Sequence, residues 1–428
     1  MTVTPPTTLD LAPAKPNRTS RSGGLRRAPG ARVTASHVIT QSKASGSKAA
    51  GYARPSFTRL DTSVLGRWWW TVDRMQLGAV ALLLLIGTIL IMAAGPPAAG
   101  RIDAPTFHFV ERQFLFLPVA VLILFGTSLL SPLWIRRLAV MLFVLFFALT
   151  ALTLGIGQEI KGATRWINLG GFSLQPSEFL KPAFAVTCAW MFAVQRCQPG
   201  VPGNLIAIAL MILVASVLIS QPDFGMTMVF LVVWSCQFFL SGLGLFWVVL
   251  LACIGLGGAV AAYFTLPHVT DRVDRFLNPE TLDNYQILTS LKAFTQGGLL
   301  GRGPGEGRIK TALPDAHTDF IFSVAGEEFG LLFCLLLVGL FAFIAIRATV
   351  RVVREDNLFV LLACGGLITQ LAVQAMVNMS SSLALIPTKG MTLPFISYGG
   401  SSLLSAALAM GMILALTRRG CASRESQL

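Results

Sequence analysis

Apolar residues run along this chain in stretches near 76–95, 113–130, 138–157, 179–194, 204–220, 225–241, 243–264, 320–346, 357–379 and 402–417. A helix rises about 1.5 Å per residue, so a run of about 20 such residues matches a hydrocarbon core roughly 30 Å thick. The pattern predicts ten transmembrane helices in an all-α integral membrane protein. Residues 1 to about 66 break it. Ser, Thr, Pro, Gly and Arg dominate there, no apolar period is visible, and no stretch would serve as a cleavable signal peptide. That segment is expected to be a disordered, basic cytoplasmic tail, followed by a membrane domain over 67–419 and a short tail over 420–428.

Composition fits a chain that mostly avoids water. Of 428 residues, 54% are hydrophobic and 12% charged, about half the charged share of a soluble chain, which excludes a soluble α/β enzyme. The seven cysteines never form C-x-x-C and the four histidines are scattered, so neither a disulfide framework nor a zinc site is expected. The net charge of +13 is asymmetric along the chain. Placing the tail, every second loop and the C-terminus on one side collects 21 Lys and Arg against 6 Asp and Glu, leaving 12 against 14 on the other. By the positive-inside bias both termini are cytoplasmic and the long loop near 265–319, between the seventh and eighth spans, is periplasmic. The same placement argues against nucleic acid as a partner. Arg136 and Arg137, then Arg347, Arg351 and Arg354, then Arg418 and Arg419 stand at three cytoplasmic helix ends. Trp68, Trp69 and Trp70 precede the first span and read as an interfacial anchor.

Within this topology the unusual polar residues gather in four outward-facing places. The first runs from Gly162 through Arg165-Trp166 to Gln175-Pro176-Ser177-Glu178 and Lys181. Glu178 and Lys181 are i,i+3, so they can meet as an ion pair at the membrane boundary, to fix the helix or to serve a substrate. Arg165 suits either an interfacial anchor or a lipid phosphate. The second is Gln221-Pro222-Asp223, a break between two spans, where Asp223 is expected to cap the following helix. The third is the long loop. Its run Gly297 to Gly307 lacks the lysine-threonine pair of a P-loop, so its glycines are read as tight turns and close backbone approaches rather than a nucleotide site. It ends in His317-Thr318-Asp319-Phe320, with Glu327 and Glu328 about two turns deeper, where two ionised carboxylates are costly and structural support is the expected role. Asp319 reads equally as a helix cap or as a functional carboxylate. The fourth is Pro387-Thr388-Lys389-Gly390 through Leu393-Pro394-Phe395-Ile396-Ser397 to Ser402, too rich in Pro and Gly for a helix. Lys389 is its only charge, either an anion contact or a snorkelling lysine.

These blocks, in this order over about 75–419, resemble the SEDS family (shape, elongation, division and sporulation) of membrane glycosyltransferases that polymerise lipid II. Pro387-Thr388-Lys389-Gly390 looks like the family's division branch. The resemblance implies that Asp319 is catalytic, as a general base or as the holder of a divalent cation such as Mg²⁺, with no tightly bound cofactor. It implies contacts to substrate from Arg165, Glu178, Lys181, Lys389 and Ser397, with Asp223, Glu327 and Glu328 as loop supports. It also implies that the products are septal glycan strands and undecaprenyl pyrophosphate. The implied partners are a class B penicillin-binding transpeptidase and other division proteins, and the implied location is the inner membrane. A diphosphate leaves without a protonating acid, so one carboxylate with nearby cations is chemically sufficient. A lipid II flippase and a non-catalytic division scaffold are the competing readings.

Overall fold

The computed structural model describes residues 63–160, 163–170, 172–198, 200–242, 245–265, 269–270, 273–274, 276, 285–387 and 390–418. The basic tail up to residue 62, most of the 266–284 segment and Lys389 lie outside the described residues. A short helix α1 (Val64–Thr71) precedes the membrane-type helices α2 (Arg74–Gly100), α3 (His108–Ser128) and α4 (Pro132–Ile156). Then come α5 (Pro176–Cys197), α6 (Gly203–Ser220), α7 (Phe224–Leu240) and α8 (Leu245–Thr265). Two helices of the long loop follow, α9 (Tyr285–Gly297) and α10 (Ile309–Ala312), before α11 (Ile321–Val352), α12 (Leu358–Ser382) and α13 (Gly400–Leu416). Six of these, α2, α3, α4, α6, α11 and α12, are long and apolar enough to cross a membrane, and α7 and α13 are shorter apolar helices.

Helix α5 is the centre of the assembly, packed by α4, α6, α7, α12 and α13. Ala183, Ala185 and Ala189 are fully buried along it, and such small side chains let neighbouring backbones approach closely where no hydrophobic drive separates protein from lipid. Large apolar side chains on the outer helices stay exposed instead: Leu85 and Met92 on α2, Leu122 on α3, Val144 on α4, Leu332 and Leu335 on α11. That inversion is what a lipid solvent permits. Polar side chains lock the centre. Gln237 of α7 donates through Nε2 to the carbonyls of Ala185 (2.7 Å) and Leu362 (3.1 Å), tying three helices together.

Three features depart from the sequence expectation. The all-α reading gives way between α4 and α5 to a small antiparallel sheet of β1 (Gln158–Ile160), β2 (Ala163–Leu169) and β3 (Phe172–Leu174), in the order β1-β2-β3. Leu169 pairs with Phe172, so two residues connect the strands, and Gly170 at φ +58° supplies the left-handed geometry such a turn needs. The second concerns the three tryptophans: Trp68 is buried, its Nε1 donating to Ser128 Oγ at 2.8 Å, whereas Trp69 and Trp70 stay exposed. The third is α11, which is broken at Gly330 (φ +80°). The Glu327 and Glu328 carbonyls accept from Arg302 N and Gly303 N of the loop, both at 3.0 Å, in place of a further helical turn.

Candidate functional site

Asp319 ends the long loop one residue before the α11 N-cap, and its surroundings come from three separate parts of the chain. The first is its own turn, in which Asp319 N and Thr318 N both donate to Asp315 O at 3.1 Å. The second is the irregular segment between α12 and α13. Tyr398 N donates to His317 O (2.9 Å), and Ser397 Oγ donates to Thr318 O (2.6 Å) while accepting from Leu393 N (2.7 Å). The third is α12, whose Asn378 Nδ2 donates to Asp319 O at 2.9 Å. Gly390 lies directly against the carboxylate, since a Cβ there would stand 3.1 Å from Asp319 Oδ2. Asp319 itself is half-buried.

An aromatic group closes the flank. Phe109 of α3 packs on His317 with ring centroids 4.1 Å apart and meets Tyr398 edge-on at 5.0 Å. Burial pushes the His317 imidazole down to about 4, the Asp315 carboxylate opposing this and Arg101 reinforcing it, so the ring is neutral at ordinary pH.

Below this level lies a buried ion pair. Lys181 Nζ is 2.8 Å from Glu178 Oε2 and donates to Gln374 Oε1 of α12 at 2.8 Å. Gln374 Nε2 in turn donates to Thr392 O (3.2 Å) and Ser402 Oγ (3.3 Å). Glu178 and Lys181 are 6% and 3% exposed, so their charges serve each other and α12 rather than an open surface. Arg165 on β2 reaches the break between α6 and α7: its Nε is 3.3 Å from Asp223 Oδ2 and it donates to Pro222 O at 2.7 Å. Asp223 caps α7 by accepting from Met226 N, and Gln221 donates to Thr150 O.

Glu327 and Glu328 hold the glycine-rich loop from within. Glu327 accepts from Arg308 N (2.6 Å), Ile309 N (2.7 Å) and Lys310 N (3.1 Å), placing a carboxylate on the first turn of α10. Glu328 pairs with Lys310 Nζ at 2.5 Å and accepts from Gly305 N at 3.0 Å. These partners make two buried carboxylates tolerable.

Asp319, Ser397 and Gly390 thus meet in one place. Glu178 and Lys181 connect to it through Gln374, whereas Arg165 and Asp223 form a separate contact at the α6–α7 break. Among the described residues no three His, Cys, Asp or Glu side chains come together as a metal site. The sequence reading missed the polar ladder of α12, in which Gln370, Gln374, Asn378 and Ser382 recur every fourth residue and are all buried. That spacing on an otherwise apolar run marks one helix face turned toward protein, and it was legible.

The chain is similar to known proteins over most of its length. The family described as "Cell cycle protein", covering FtsW, RodA and SpoVE, matches residues 73–420. The "Probable peptidoglycan glycosyltransferase FtsW" of Caulobacter vibrioides is 44% identical over 371 residues, 86% of this chain and 95% of the relative. Stage V sporulation protein E of Bacillus subtilis is 33% identical over 79% of this chain and 94% of its own length. Among solved structures, a chain from a peptidoglycan synthase complex that coordinates polymerization and crosslinking superposes with a TM-score of 0.69 at 27% identity, covering 82% of this chain and 98% of that one. RodA of Thermus thermophilus gives 0.59 at 26% identity, covering 82% and 97%. The chain is a multi-pass membrane protein of the FtsW/RodA/SpoVE (SEDS) family.

Proposed function

We propose that this protein is a peptidoglycan glycosyltransferase of the division branch, polymerising lipid II into glycan strands at the septum of the inner membrane. The observation that carries the reading is the setting of Asp319, a half-buried carboxylate whose backbone carbonyl is held by Asn378 of α12 and whose neighbour Thr318 is held by Ser397, in a chain 44% identical to an FtsW. In the reaction, Asp319 accepts the proton of the sugar 4-hydroxyl as its oxygen attacks the anomeric carbon of a second lipid-linked disaccharide. The glycosidic bond forms, the bond to the diphosphate breaks, and undecaprenyl pyrophosphate leaves with its electron pair.

The diphosphate needs positive charge rather than a proton. Lys181 is committed to Glu178 and Gln374, so its role is to set the α5–α12 contact. Ser397 likewise uses its hydroxyl to join two loop segments. Lys389 is our candidate cation for the leaving group, with Arg165, which is partly exposed although it pairs with Asp223 at the α6–α7 break, as a second phosphate contact. In the alternative role, Asp319 would hold a Mg²⁺ ion brought by the substrate phosphates, which would supply positive charge to the leaving diphosphate.

We assign the chain ten spans with both termini cytoplasmic. Arg196 donates to the Ser241 and Gly242 carbonyls, Arg418 to those of Leu129 and Leu130, and Arg347 and Arg351 pair with Asp73. These arginines occupy the helix ends that the charge bias places inside. The partner is a class B penicillin-binding transpeptidase, a reading supported by the likeness to a chain of a peptidoglycan synthase complex.

The test is purified chain with labelled lipid II, alone and with the co-purified transpeptidase. Glycan strands are expected, at a higher rate with the partner. Movement of lipid II between leaflets without polymer would instead identify a flippase, and neither activity a scaffold.

A further inference from the structure

Asn378 is 1% exposed on α12, and its one carboxamide nitrogen donates to two carbonyls from different segments: Asp319 O at 2.9 Å and Met391 O at 2.6 Å. Both neighbours of that nitrogen are acceptors, which fixes the amide orientation, since the flipped group would set oxygen against oxygen. The two carbonyls bracket the closest approach in the site. Met391 follows Gly390, and Gly390 is the residue that stands against Asp319 Oδ2. One turn earlier on the same helix face, Gln374 Nε2 takes the next carbonyl, Thr392 O. Asn378 Oδ1 is buried and accepts no hydrogen bond.

We propose that Asn378 is a positioning residue for the polymerisation step, a single-nitrogen clamp that sets the gap between the Asp319 carboxylate and the backbone at Gly390. The proposal rests on the glycosyltransferase reading for its effect on rate, though not for the clamp itself. Removing the clamp lets the two segments separate while leaving Asp319 in place chemically. Chemistry suffers more than substrate binding, because a displacement of about 1 Å in a reacting group costs on the order of 10²-fold.

The test compares wild type, Asn378→Leu, Gly390→Ala and the double variant of the full chain, co-purified with its transpeptidase and fed labelled lipid II. Asn378→Leu is expected to lower kcat about 10²-fold with KM changed less than about twofold. Gly390→Ala, which perturbs the same gap from the loop side and leaves the helices untouched, is expected to lower kcat about tenfold. The two losses should not multiply, because both act on one distance. Hydrogen exchange is read in parallel. The amides of 315–320 and 393–398 should exchange faster in Asn378→Leu than in wild type, while those of α5 do not.

Wild-type kcat in Asn378→Leu, or losses that multiply as those of independent defects do, would overturn the proposal. Should Asn378→Leu fail to fold, a wild-type kcat in Gly390→Ala would overturn it. Should wild type make no glycan, the enzymatic reading fails by itself, and faster exchange confined to the two segments still establishes the clamp, whereas unchanged exchange refutes it.

Discussion

Glu178 and Lys181 show how a charge survives at the centre of a membrane protein. Each has the other at 2.8 Å, and Lys181 has Gln374 as well, so removing one partner leaves an uncompensated buried ion. Glu178→Gln or Lys181→Met is expected to destabilise by about 3 to 5 kcal/mol, and the double replacement by less than either. Thermal melts of purified protein check this. The spacing of the pair was readable from sequence, but its partner on α12 was not, because nothing in a linear string says which helix faces α5. His317 is a second case. Its imidazole titrates near 4 in the fold against 6.5 ordinarily. Between those values the unfolded chain binds a proton that the folded chain refuses, so stability falls as pH drops from 6.5 toward 4. The loss is on the order of 3 kcal/mol. His317→Phe, which keeps the contacts with Phe109 and Tyr398, should flatten the fall of melting temperature over that range. An unchanged slope would show that other groups govern it.

At the scale of elements, the break in α11 organises the loop above it. A Cβ on Gly330 would stand 2.4 Å from Gly301 N and 2.5 Å from Leu299 O, backbone atoms that cannot step aside, and its φ of +80° is costly for any other residue. Gly297 approaches Gly326 O just as closely. Gly330→Ala is therefore expected to free residues 298–310, seen as new protease cleavage there, with a lower melting temperature. Glu327→Gln, weakening three amide contacts to one carboxylate, should do the same more mildly, by about 1.5–3 kcal/mol. The apolar runs revealed where helices lie, since period and length suffice for that. They did not reveal the break, because the apolar run resumes directly after Gly330 and the Glu327-Glu328 pair before it gives no sign of a positive φ. The β1–β3 sheet was hidden for a related reason. Its strands are three to seven residues long, and only the Gly170-Gly171 pair hinted at a hairpin.

At the scale of the whole molecule, the arginines at the helix ends that we assign to the cytoplasm hold carbonyls and carboxylates. Asp73 joins the start of α2 to the end of α11 through Arg347 at 2.8 Å and Arg351 at 2.6 Å. With the other cysteines replaced, exposed Cys197 at the end of α5 should resist an impermeant maleimide applied to intact cells. A cysteine introduced at exposed Asp103, between α2 and α3, should react. The reverse pattern would invert the topology and place Asp319 on the wrong side of the membrane for wall synthesis. Composition made the membrane legible, and the motif blocks made the family legible. That Lys181 is occupied by Glu178 and Gln374 was not readable from the string, because the facing helix is set only by the fold. The most direct measurement of the central claim is the initial rate of glycan strand formation from labelled lipid II by the chain with its transpeptidase, wild type against Asp319→Asn. Wild type should polymerise and folded Asp319→Asn should lose at least about 10²-fold; strand synthesis at the wild-type rate without that carboxylate would contradict the account.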